Sequence, residues 1–154
     1  MSRKYFYILK FQTLDTTWVF DVQTKSWERG SSLIQRRSSP SCFTDEQTKT
    51  VFVMGGEYGR LLDTTEKWTI GTNAWEASSV LPKKNHRSAA VSSNSQEYVG
   101  YMAGGETNTD GYTNKIYALR RRDEQWIQLE SKSLQQRRNA HTLINLGPSE
   151  IPGC

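Results

Sequence analysis

Apolar residues along this chain come in short bursts cut off by glycines or polar turns. Val51-Phe52-Val53-Met54 runs into Gly55-Gly56, and Tyr98-Val99-Gly100-Tyr101-Met102-Ala103 runs into Gly104-Gly105. A burst rich in β-branched and aromatic residues that stops at two glycines predicts a strand entering a tight turn. An acid follows each turn at once, Glu57 in one copy and Glu106 in the other. No window of about a dozen residues keeps the i, i+3, i+4, i+7 spacing of an amphipathic helix, and the nearest approach, 131–139, reads as a loop. The pattern predicts an all-β chain.

A second kind of burst, Thr17 to Val22, Glu66 to Ile70 and Asn114 to Leu119, is followed each time by a polar turn and then by Trp27, Trp75 or Trp126. That arrangement predicts a hairpin whose second strand starts near the tryptophan. Tryptophans and double glycines both recur at intervals of about fifty residues, which makes the chain a repeat. After each tryptophan strand stands a basic pair, Arg36-Arg37, Lys83-Lys84 and Arg137-Arg138, with Pro40, Arg87 and His141 three residues beyond and a fresh strand opening after them. One period thus holds four short strands.

Together these residues resemble the kelch repeat, with Trp18-Val19-Phe20-Asp21-Val22-Gln23-Thr24-Lys25-Ser26-Trp27 as the best single match. The resemblance covers most of the chain, from Thr16 to Leu146. It departs from the family pattern where Thr69 and Arg120 replace the aspartate found at Asp21, and where the opening segment lacks Gly-Gly. It implies a kelch-type β-propeller segment, in which every four-stranded antiparallel repeat is a blade. The expected layout is a partial blade at about 5–31, blades at about 40–79 and 88–129, and a terminal strand at about 140–146. Gly55, Gly56, Gly104 and Gly105 would allow the tight turns, and Trp27, Trp75 and Trp126 would supply packing surface between blades. That makes about three blades, too few to close a ring alone, since propellers typically have four to eight. The chain is then a piece of a longer propeller, or two copies close a six-bladed ring, each terminal strand completing the other's first blade.

Composition changes this picture little. The 154 residues suit one domain, and although only 35% are hydrophobic, 5 Trp, 7 Tyr and 5 Phe supply enough large rings to argue against disorder. No apolar run approaches the roughly 20 residues of a membrane span, and the burst at 5–9 lacks the length and cleavage site of a signal peptide. Two cysteines, Cys42 and Cys154, offer neither a disulfide framework nor a metal-binding spacing, so a cytoplasmic location is expected. The net charge of +4 is modest, and Arg120-Arg121-Arg122 is answered at once by Asp123 and Glu124, so nucleic acid is not an expected partner.

Turns after the second and fourth strands of an antiparallel blade emerge on one face. The resemblance implies that this loop face binds other proteins and that the basic residue before each first strand points toward an acidic group. Carried over by position, those residues are Arg37, Lys84 and Arg138. Arginine can grip a carboxylate with two hydrogen bonds, whereas Lys84 offers only a point charge. Tyr58 and Tyr112, on the loops after the double glycines, are candidate contact aromatics. His86 and His141 stand at different offsets from the basic pairs and gain no third ligand, so neither a metal nor another cofactor is expected. The expected function is a non-enzymatic interaction module, a kelch-repeat scaffold or substrate adaptor that binds acidic peptide segments. The alternatives are a sugar-processing enzyme of mutarotase type, which needs only an acid and a base in a funnel, and an inactive propeller fragment.

Overall fold

A computed structural model describes the backbone of residues 4–8 and the whole of residues 12–146. The described chain is all-β and contains no helix. Strands β1 (Lys4–Ile8), β2 (Thr17–Asp21) and β3 (Ser26–Arg29) form a first antiparallel sheet in chain order. β4 (Ser41–Asp45), β5 (Thr50–Met54), β6 (Thr65–Thr69) and β7 (Glu76–Ala77) form a second. β9 (Ala89–Ser92), β10 (Tyr98–Ala103), β13 (Lys115–Arg120) and β14 (Trp126–Ser133) form a third in the same order of connection. A small fourth sheet joins β8 (Asn85–His86), β11 (Glu106–Thr107) and β12 (Gly111–Tyr112). None of the sheets closes on itself.

The fifty-residue period is written in the backbone. Leu33, Leu81 and Leu134 donate their N–H groups to Asp15, Asp63 and Asn114, and Arg37, Asn85 and Arg138 donate theirs to Leu14, Leu62 and Thr113. Ser39, Arg87 and Ala140, two residues past that second set, all adopt left-handed φ, at 48°, 54° and 49°. Asn85 is therefore the equivalent of Arg37 and Arg138, and not Lys84 as the basic pairs suggested. The hydrogen bond decides this alignment, because side-chain charge does not fix which residue the turn presents.

Gly56 and Gly105 take φ values of 97° and 96°, and their N–H groups bond the carbonyls of Asn85 and Arg138. A Cβ at Gly56 would lie 2.7 Å from the Ser38 carbonyl, and one at Gly105 would lie 2.7 Å from the His86 carbonyl. Backbone cannot swing aside as a side chain can. Gly56→Ala and Gly105→Ala are each expected to cost about 1–3 kcal/mol, read as a lower midpoint in urea unfolding.

Apolar burial sits at the two junctions between sheets. All five residues of β5 are buried. Val51 and Val53 join Trp75 and Leu33, the latter from the connection between β3 and β4, while Phe52 and Met54 join Phe43, Met102 and Trp126 toward the third sheet. Each of two tryptophans reaches back into the preceding repeat. Trp75 Nε1 donates to Ser31 O at 3.0 Å, and Trp126 Nε1 donates to Thr65 Oγ1 at 3.1 Å with its ring edge-on to Phe43. Trp75 and Trp126 are only 5% and 6% exposed. Trp27 departs from the expected packing role: it is 52% exposed and tilts against Phe20 of its own sheet, because β3 carries the outward flank of the first sheet.

Charge also ties the second sheet to the third. Arg121 donates to Asp45 at 2.8 Å and Lys67 to Glu124 at 2.8 Å, so part of the arginine triplet is spent inside the fold. Burial works against the Asp45 carboxylate, yet hydrogen bonds from Arg121 and Thr48 hold its pKa below the usual value.

The strand expected at 140–146 does not form. Residues 141–146 follow the Ala140 turn without a ladder, Ile144 is 76% exposed and Leu146 is 53% exposed. The segment is fastened beside β9 by Asn145 Nδ2, which donates to Ser92 O at 3.0 Å. A burst of β-type residues becomes a strand only when a neighbouring backbone answers its N–H and C=O groups. No helix of the described residues is long and apolar enough to cross a membrane.

His141, at the start of this segment, packs beneath Gly104 with no hydrogen bond to either ring nitrogen. Burial, and then the Arg138 charge, lower its pKa from the ordinary 6.5. A histidine whose folded pKa is depressed contributes fully above its unfolded pKa and loses that contribution as pH falls toward the folded value. Thermal stability is therefore expected to decline as pH drops below about 6.5, and His141→Gln is expected to flatten that decline.

Candidate functional site

The turns after β5, after β10 and before β9 meet on one face. Ser38 and Glu57 exchange backbone hydrogen bonds at 2.9 and 3.0 Å, and His86 pairs with Glu106 across the small sheet. The acid after each double glycine is thus aligned beside the turn that ends the preceding repeat. His86 is buried between those acids: Nδ1 lies 3.5 Å from Glu57 Oε2 and Nε2 lies 3.2 Å from Glu106 Oε2, with the Arg87 guanidinium 3.7 Å from the same Glu106 oxygen. Lys83 donates to Asp110 at 2.7 Å and holds that carboxyl below its usual range.

The three basic candidates have separate fates. Arg37 is wholly buried and does not reach the loop surface. Its Nη1 donates to Gly55 O at 2.6 Å and to Thr64 O at 3.2 Å, and its Nη2 donates to Thr64 Oγ1 and Glu66 Oε1. Glu66 is equally buried and also accepts the N–H groups of Ile34 and Gln35. This corrects the assignment of Arg37 as a partner contact: the planar fork suited to a ligand carboxylate is spent on an internal one. Asn85 does the corresponding work one repeat on, donating Nδ2 to Gly104 O at 2.9 Å. Lys84 is half-buried, and Arg138 is exposed.

Tyr58, in the turn after the first double glycine, and Tyr112, in the short strand β12 after the second, are 52% and 53% exposed. Tyrosine rings have few rotatable bonds and lose little freedom when covered, which suits them to contact. Glu66 and His86 emerge as organising residues of this face that residue types alone did not indicate. Glu66 carries no local signal, since Arg37 precedes it by 29 residues. For His86 the acid after each Gly-Gly was the available sign. Among the described residues no group of three or more His, Cys, Asp or Glu forms a ligand set for a metal ion. Comparison with family models gives no match, and comparison with curated proteins gives none either.

Proposed function

We propose that the chain is a kelch-type β-propeller segment that works in the cytoplasm as a non-enzymatic protein-binding module, a scaffold or substrate adaptor engaging partners through its loop face. The observation that carries this reading is the exposure of Tyr58 and Tyr112, which follow the double glycines, together with that of Arg87 and Arg138 and the half-exposure of Lys84. Aromatic and arginine side chains dominate the energetics of protein interfaces, and the surplus of bases favours an acidic peptide segment. The kelch reading is supported by the tryptophan and double-glycine period and by the matching turns at Ser39, Arg87 and Ala140.

The test is affinity capture with the native chain beside a Tyr58→Ala, Tyr112→Ala variant and a Lys84→Glu, Arg138→Glu variant. All four residues lie outside the core, so folding is expected to survive. A partner retained by the native chain and lost from both variants supports the module. Equal retention by all three overturns this face as the binding surface.

A mutarotase-like reading draws on one observation, the His86 ring between Glu57 and Glu106 beside Arg87, which supplies groups for acid and base work. Polarimetry on freshly dissolved sugars tests it. Catalysed relaxation that disappears in Glu106→Gln would favour the enzyme.

A further inference from the structure

The end of β5 remote from its double glycine carries a second constellation, where the second and third sheets meet. Thr50 opens β5 and pairs with Asp45 and Thr69 across its own sheet. A row of hydroxyls runs from there: Thr48 Oγ1 lies 2.9 Å from Asp45 Oδ2 and 3.0 Å from Thr50 Oγ1, which lies 3.0 Å from Thr69 Oγ1. The turn after β13 brings Arg121 and Glu124 against them. Arg121 donates to both Asp45 oxygens, at 2.8 and 3.3 Å, and Lys67 Nζ donates to both Glu124 oxygens, at 2.9 and 2.8 Å.

These side chains do not close over one another. With Phe52 and Val99 they line a cavity of about 220 Å³. Voids larger than a water molecule are few in protein interiors, so a polar cavity of this size at a packed junction has room for an occupant. The charges in its walls cancel, Lys67 and Arg121 against Glu124 and Asp45, each already answered within its own pair. An ionic ligand would have to break one of those pairs and strand a partly buried charge.

What the walls still offer is hydrogen bonding. Each threonine hydroxyl combines one donor with two acceptor sites, and the Lys67 ammonium keeps a third proton beyond the two given to Glu124. Arg121 Nε is buried with no partner. Donors and acceptors set close together beside the apolar surface of Phe52 and Val99 suit adjacent hydroxyls on a C–H-rich ring. The volume lies below the roughly 300–1,000 Å³ of sites for drug-sized ligands, which limits the occupant to a small molecule.

We propose that this cavity binds a small uncharged polyhydroxylated ligand of monosaccharide or inositol type. It is separate from the loop face, since Glu57 and Glu106 follow the double glycines at the opposite ends of β5 and β10. The inference therefore stands whether or not that face engages a partner.

Saturation-transfer NMR on the full chain with glucose, galactose, mannose and myo-inositol tests this, followed by titration of whichever probe responds. Saturable binding is expected, with the amide resonances of Thr50, Lys67 and Arg121 shifting in the native chain. Replacing both members of the central hydroxyl pair, Thr50→Val with Thr69→Val, leaves neither hydroxyl stranded and is expected to weaken binding about tenfold. Lys67→Met, at a partly exposed position, is expected to weaken it by about the same factor. Both variants are expected to keep the native circular dichroism spectrum, and the amide shifts locate the site without any substitution. No saturable binding of any probe, shifts confined to the loop face, binding unchanged in both variants, or tighter binding of the zwitterion glycine betaine would each overturn the inference.

Discussion

Arg37→Ala is expected to remove about 3–5 kcal/mol of stability, the cost of stranding a buried carboxylate. Glu66 is as deeply buried as its partner, and deleting the guanidinium leaves its charge without a counterion. Two effects bound the loss. The N–H groups of Ile34 and Gln35 still hold the carboxylate, which argues for the lower end. The carbonyls of Gly55 and Thr64 lose their donor as well, which argues for the upper. Urea unfolding of Arg37→Ala, Glu66→Gln and the double variant checks the account. The double variant should recover part of the Arg37→Ala loss, because the stranded charge is gone. Strictly additive losses would show that the pair does not act as a unit.

Trp126→Ala is expected to cost about 3–5 kcal/mol, whereas Trp27→Ala, which removes a half-exposed ring, should cost clearly less. Sequence treats these as the same residue one repeat apart. The difference is burial: Trp126 fills the junction beside Phe43 and donates to Thr65, while Trp27 tilts against Phe20 and is 52% exposed. Removing Trp126 empties a large volume and leaves the Thr65 hydroxyl without that donor. Equal losses in the two variants, measured by chemical unfolding at low protein concentration, would refute the packing argument.

Strand positions were legible because a strand is a local pattern, and a double glycine announces its end through conformations that few other residues accept. The bursts at 51–54 and 98–103 became β5 and β10 on that basis. Three things were not legible. The small sheet of β8, β11 and β12 uses two-residue strands, too short to carry any alternation. Lys84 looked like the partner of Arg37 and Arg138 because charge is visible in sequence, while the carbonyl that bonds Asn85 is not. The segment at 140–146 has strand chemistry but lacks an answering backbone, and only three-dimensional placement reveals that. Of the candidate site, Tyr58 and Tyr112 are exposed, Tyr112 in a two-residue strand where a loop was expected, and the burial of Arg37 did not follow from residue type.

Burial of β5 on both sides has a consequence for how the protein opens. Its amide protons can meet solvent only after the cover on both faces has parted, so their exchange with deuterium should report global unfolding. Strands β2 and β3, covered on one side at most, should exchange earlier through partial opening. Denaturation then proceeds from the flanks toward the middle, with the central sheet the last cooperative unit to dissolve.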